Sequence, residues 1–259
     1  MEICVLASGS NGNALYIESR TTRTAILIDC GISRLQIARR LWEKGKTLEN
    51  VSAIFLSHEH TDHTRGVNVT TKLFGFPVYM TEGTYGGLRD KRYLNGVELI
   101  HQSGESQIGD LTIQSIPKSH DARDPIAFAI SCNGKMFLTA TDFGIPNDDI
   151  ISSISSADAI LLEMNYDEEM LKNGPYPYWL QQRILSNHGH MSNVHSASLI
   201  FEHANSRLRH LILGHLSENN NDPRLVQREI DTIIERRDDL NPVVHIASRY
   251  KAGDIIQLT

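Results

Sequence analysis

Between Ser57 and His63 the chain reads SHEHTDH, placing three histidines and an aspartate within six residues directly after the apolar run Ala53–Leu56. Leaving so many polar side chains at a strand end with no ligand is costly. Imidazole nitrogen together with carboxylate oxygen suits zinc, manganese or iron better than calcium or magnesium. One short loop cannot wrap four donors around a single ion. His58 and His60 are therefore expected to face one cation and Asp62 and His63 a second. Two cations need further ligands, and three candidates lie beside strand ends: His120 in PKSHDARDP, Asp142 in LTATDFG and His215 in LILGHLS. Each alone has a plainer role, as turn histidine, turn cap and core histidine; the unfilled coordination decides for ligation. Asp142 is the expected bridge, because one carboxylate can offer an oxygen to each ion. Two divalent cations roughly 3.5–4 Å apart activate water and clamp the oxygens of a displaced phosphate. The chemistry implied is metal-assisted hydrolysis.

These residues need rigid elements behind them. Short strands are expected at Ile3–Ala7, Ala14–Glu18, Ala25–Asp29 and Ala53–Ser57, separated by turn residues, with a helix over Arg34–Lys44. A further helix near Gly66–Phe74 leads to a strand at Pro77–Met80, and Val97 to Ala140 reads as strand-rich. Beyond it come strands at Ala159–Leu162, Leu211–Gly214, Val243–Ile246 and Ile255–Leu258. They alternate with helices over Ser192–His203 and from Pro223, the latter capped by Asp222. Runs of strand with flanking helices favour an α+β fold of two mixed β-sheets face to face with outer helices over a doubly wound sheet. No linker or repeat stands out, so 1–259 reads as one domain.

A 40% hydrophobic, 22% charged composition leaves enough apolar surface for a sizeable core. No apolar run approaches the roughly 20 residues of a membrane helix, and no export signal is visible. Cys4, Cys30 and Cys132 are odd in number and unpaired in spacing, which favours a reducing cytoplasm. The formal charge of −6 does not advertise a nucleic-acid binder, although two divalent cations would offset much of it. The basic pairs Arg39–Arg40 and Arg236–Arg237 and the run Arg89–Arg92 are expected on solvated faces.

HEHTDH followed by a distant histidine, a TD and a GH resembles the metallo-β-lactamase superfamily, whose αββα sandwich carries a dinuclear site at one edge of its sheets. Asp29 in AILIDCG matches that family's buried aspartate, which supports the metal loop. LASGSNGNALYIES, SHEHTDHTRGV, SHDARDP, ATDFG, LLEMNYDEEML, RILSNHGHMSN and GHLSENN narrow the likeness to its WalJ/YycJ-like branch. That resemblance implies a cytoplasmic, metal-dependent 5′→3′ exonuclease on double-stranded DNA; the donors suit zinc or manganese, and a hydroxide between the metals is the expected attacking group. Asp62 would orient it. His190, in GHMSNVHSASLIF, matches a histidine that protonates the leaving oxygen in phosphodiesterase relatives. Asn13, Asn219 and Asn220 are further candidate substrate contacts alongside His190. Two alternatives stay open: an RNase or cyclic-phosphodiester hydrolase on the same site, and a metal-stabilised nucleic-acid-binding or regulatory protein with little catalysis.

Overall fold

The computed structural model describes residues 1–94 and 96–259. Its elements follow in the order β1 (Glu2–Ala7), β2 (Ala14–Glu18), β3 (Ala25–Ile28), α1 (Arg34–Trp42), β4 (Val51–Phe55), α2 (Thr61–Thr64), α3 (Val67–Phe74), β5 (Val78–Met80), α4 (Glu82–Gly87), β6 (Val97–Leu99), β7 (Glu105–Ile108), β8 (Leu111–Pro117) and β9 (Ile126–Cys132). They continue as β10 (Lys135–Ala140), α5 (Asp148–Ser156), β11 (Ala159–Glu163), α6 (Glu168–Asn173), α7 (Tyr178–Leu185), α8 (Asn193–His203), β12 (His210–Gly214), α9 (Pro223–Ile234), β13 (Val243–Ile246) and β14 (Ile256–Gln257). The chain divides into two compact units, one of Met1–Pro117, Ala122–Lys135 and Ala247–Thr259, the other of Lys118–Asp121 and Met136–Ile246.

In the first unit a sheet of order β14-β1-β2-β3-β4-β5-β6 begins antiparallel and turns parallel from β3 onward. Strands β1, β2 and β3 are buried along their whole length, which is why they read as near-continuous apolar runs without alternation. Strands β7, β8 and β9 form an antiparallel meander in the same unit. Helix α1 starts at a capping box, in which Ser33 and Gln36 satisfy each other's backbone N–H, and buries Ile37 and Leu41. Arg40 departs from the expected solvated face. It is buried, and its guanidinium donates to the carbonyls of Leu6, Arg249 and Tyr250, so its hydrogen-bonding capacity is met inside the fold.

In the second unit β10, β11, β12 and β13 pair in that order, all parallel. Helix α8 starts at Ser192, whose hydroxyl accepts from the His195 N–H, and α9 starts at Asp222 with Pro223 at its first position. Helices α5, α6 and α7 fall where the sequence suggested no element. Asn147 and Asp167 cap the first two, a short polar signal easily taken for a turn. Among the described residues no helix is long and apolar enough to cross a membrane. The three cysteines are buried free thiols.

Parallel pairing positions the chemistry. Strands that run the same way end at the same edge, so residues just past their C-termini become neighbours. Asp29 follows β3 and Ser57 follows β4; Asp142, Glu163 and His215 lie at the ends of β10, β11 and β12, with Glu163 in register with Gly214.

Candidate active site

In the first unit the loop after β4 is held from beneath by Asp29. One carboxylate oxygen accepts the Ser57 N–H at 2.9 Å, and the other accepts the Ser57 hydroxyl at 2.9 Å and His63 Nδ1 at 2.7 Å. Ser57 spends its only hydrogen on Asp29, so at 3.0 Å from His58 Nδ1 its oxygen must accept. The protons of His58 and His63 are thus fixed on Nδ1, leaving Nε2 as the lone-pair nitrogen of each ring. His58 Nε2 lies 3.1 Å from His60 Nδ1, and His63 Nε2 lies 3.4 Å from Asp62 Oδ2. Two ligands on one tetrahedral ion with bonds of roughly 2.0–2.1 Å sit about 3.3 Å apart. Both pairs match that edge. His58 and His63 are fully buried; the helical turn α2 rotates His63 inward while Asp62 stays half-exposed.

Asn13 reaches this loop from the SGSNGN turn. Its Nδ2 lies 3.1 Å from His63 Nε2 and 3.5 Å from Asp62 Oδ2, its N–H donates to the Asp62 carbonyl, and its own carbonyl accepts from Gly31. Gly31 is required there, since a Cβ would overlap the Asp62 carbonyl.

In the second unit one buried carboxylate organises two histidines. Glu163 Oε1 accepts from His190 Nδ1 and from His215 Nδ1, both at 2.8 Å. Glu163 Oε2 accepts the backbone N–H groups of Phe143 and Met191 at 3.2 and 3.3 Å. Burial alone would push this carboxyl up, but the charges and hydrogen bonds of His190 and His215 outweigh it and hold the group at about 2. His215 Nε2 then points its lone pair at Asp142 Oδ1, 3.3 Å away, a third pair at the ligand-edge spacing. His120 Nδ1 donates to the Gly189 carbonyl at 3.2 Å, and burial pushes its imidazole down to about 3, so the ring is neutral and its unprotonated Nε2 lies 3.4 Å from Asp121 Oδ1. Its ring centroid lies 5.4 Å from that of His190.

Asp142, Glu163, His190 and His215 have atoms close enough to hold an ion. Both oxygens of Glu163 are already occupied by four N–H donors, so this carboxylate orients the histidines instead of ligating. Asp29, Asp142 and His215 all adopt left-handed backbone conformations, with φ of 60°, 57° and 55°. Non-glycine residues rarely do so, and such strain gathers at functional sites.

His190 precedes the cap of α8 by two residues and is half-buried. Asn219 is exposed, its Nδ2 donating to the Tyr176 hydroxyl at 3.2 Å, whereas Asn220 is fully buried beside Ser217. Sequence reasoning gave Glu163 no role. The signal was present, since a glutamate closes the otherwise apolar strand AILLE, and an acid is not buried there without donors to meet it.

The pattern of the Beta-lactamase superfamily domain matches residues 24–215. Exodeoxyribonuclease WalJ of Streptococcus pneumoniae serotype 2 is 36% identical over 222 residues, covering 84% of this chain and 82% of that protein. Exodeoxyribonuclease YycJ of Bacillus anthracis is 31% identical over 245 residues, covering 92% and 90%. The crystal structure of the metallo-β-lactamase fold protein YhfI from Bacillus subtilis aligns with a TM-score of 0.74 at 18% identity, over 97% of this chain and 98% of that one. That likeness shows the fold, two mixed β-sheets flanked by helices, as expected.

Proposed function

Because this chain belongs to the β-lactamase superfamily, as a metal-dependent hydrolase of the metallo-β-lactamase fold, we propose that it is an exodeoxyribonuclease working 5′→3′ on double-stranded DNA in the cytoplasm. The seven residues His58, His60, Asp62, His63, His120, Asp142 and His215 would hold two divalent cations, zinc or manganese, with iron also suited to the donors. One observation carries this reading. Every one of the seven lies inside the matched span 24–215, and the donor pairs that can be measured within each unit stand at ligand-edge spacing, with the opposite ring nitrogens of His58, His63 and His215 hydrogen-bonded as donors.

Bound there, the cations would supply a water of lowered pKa and positive charge to offset that gathering on the phosphate oxygens. Around them the side chains have distinct tasks. Glu163 fixes the Nδ1 proton of His190, which leaves Nε2 as the nitrogen from which a proton would pass to the leaving oxygen. Asp62, half-exposed and 3.5 Å from Asn13 Nδ2, would orient the attacking water. Asn219, on the exposed side of the loop after β12, is the asparagine best placed to meet substrate; Asn220 has no exposed surface to do so.

The test is digestion of duplex DNA labelled at either end, by metal-depleted protein resupplied with Mn²⁺ or Zn²⁺, beside an Asp142→Ala control and an RNA arm. Progressive loss from 5′ ends that the control lacks is expected. Intact DNA with both metals would overturn the nuclease reading. His190→Ala should retain bound metal and lose roughly 10²–10⁴-fold in turnover, the usual share of a proton donor. An unchanged rate removes His190 from the mechanism.

A further inference from the structure

Helix α7 and the loop that follows it have two faces with different work. The inward face, Leu180 and Ile184 one turn apart, packs with Tyr166, Leu171 and Tyr176 into a small core of the second unit. The C-terminal end carries His190: the His190 N–H donates to the Ile184 carbonyl at 3.0 Å, and Gly189 lies so close beneath that a Cβ would overlap the same oxygen. The Ser119 hydroxyl donates to the Asn187 carbonyl at 2.7 Å and the Asp121 N–H to the His188 carbonyl at 3.1 Å, so the residues flanking His120 are tied to the same loop. Before the helix, Tyr176 is bonded to Asn219, four residues past His215.

The outward face is different. Tyr178 is 75% exposed and Trp179 66% exposed, two adjacent aromatic rings left in water. Their neighbours on the helix are Gln181, Gln182 and Arg183, the last ion-paired with Asp121 next to His120. The aliphatic residues of α7 are used inward, apart from Leu185, so the outward face offers chiefly flat ring surface. Flat rings edged by amide and guanidinium groups suit nucleobases, which every aromatic side chain can stack against regardless of sequence. In a chain of formal charge −6, stacking would add a non-ionic contact beside the phosphate grip that bound cations supply.

Resting on the nuclease reading above, we propose that Trp179 and Tyr178 form a stacking platform for unpaired bases of the nucleic-acid strand whose phosphodiester reaches His190. The spacing fits. Trp179 is five residues from Ile184, about 7.5 Å along the helix axis, or about two nucleotides at 3.4 Å per step of a stacked strand. A base about two positions from the scissile phosphate would then lie over the rings.

Trp42 and Trp179 are the two tryptophans of the chain, so a Trp42→Phe background leaves Trp179 as the sole indole reporter. The probe is a 12-nucleotide single-stranded DNA with hydrolysis-resistant phosphorothioate linkages, titrated into metal-loaded protein. Quenching of Trp179 emission is expected. Loss of one stacked base weakens binding about 5- to 150-fold, so Trp179→Ala should bind that much more weakly and raise KM on cleavable DNA more than it lowers kcat. Trp179→Phe should restore most of the affinity. Because the ring is exposed, both variants should melt as the parent does, which separates lost stacking from lost folding. Quenching without digestion of any nucleic acid would support the platform while overturning the nuclease reading. Digestion with no quenching, and with Trp179→Ala as active as the parent, would overturn the platform and leave the nuclease standing. Loss of self-association in Trp179→Ala with unaltered DNA binding would overturn it in favour of a contact with a second copy.

Discussion

Glu163 is the residue through which the second unit's histidines are set. Its two oxygens receive four N–H donors, two from imidazoles and two from backbone, so the carboxylate stays ionised although buried. Replacing it by glutamine keeps the shape but turns half of the group into a donor, and at least one of these N–H groups then faces another N–H. Glu163→Gln should weaken metal binding about 10- to 100-fold, as loss of an orienting partner does, with a matching loss of turnover. Competition against a chromophoric chelator measures the first and DNA digestion the second. Unaltered metal affinity would assign Glu163 to stability alone. The contrast with Asp29 is instructive, since that carboxylate plays the same orienting part in the first unit and its AILIDCG context was readable. Glu163 was missed because orientation depends on which histidines come to lie within 3 Å, and spacing in sequence does not carry that.

At the scale of the element, the site is built from strand ends whose backbones turn left-handed, and from glycines that let two segments touch. Gly31 lies against the Asp62 carbonyl while Asn13 spans both. Backbone cannot give way as a side chain tip would. Gly31→Ala is therefore expected to displace the Asp62 loop, lowering the urea midpoint and the amount of bound metal together. A midpoint and metal content equal to the parent's would show that the contact is dispensable. Gly189 offers a second place for the same experiment, under Ile184. The strands and long helices that frame these contacts were legible: β3, β4, α8, β12 and α9 fall where apolar runs and caps placed them. The helices α5, α6 and α7 were not, because each is six to nine residues long and begins at an asparagine, aspartate or proline that also starts turns. For α7 the consequence is functional, since its exposed aromatic face was invisible while the segment read as loop.

At the scale of the whole molecule, the proposed ligands are drawn from positions 58 to 215 of a 259-residue chain, and ions that bind the folded state alone stabilise it by mass action. At a free metal concentration of 100 times Kd the gain is about 2.7 kcal/mol, which for a chain of this size corresponds to roughly 5–10 °C in Tm. Protein stripped by a chelator should melt lower by that order, and Mn²⁺ or Zn²⁺ should restore the loss. His58→Ala should abolish most of the metal response. A melting curve indifferent to chelation would remove the cations from the folded state's stability and weaken the case for tight binding.

What the sequence determined by itself was the donor chemistry and the family. Histidine and aspartate packed into SHEHTDH, with His120, Asp142 and His215 after strands, suit zinc, manganese or iron through side-chain type alone, and local periodicity marks the strands. The tertiary structure decided which ring nitrogens of His58, His63 and His215 carry the proton, that Glu163 and Asp29 hold those rings, that Arg40 is buried, that Asn220 is shut away while Asn219 is not, and that Trp179 faces water on the helix whose last turn holds the His190 N–H. Hydrogen-bond partners and burial are properties of residues far apart in the chain that parallel strand pairing and helix docking bring together. No local pattern encodes them.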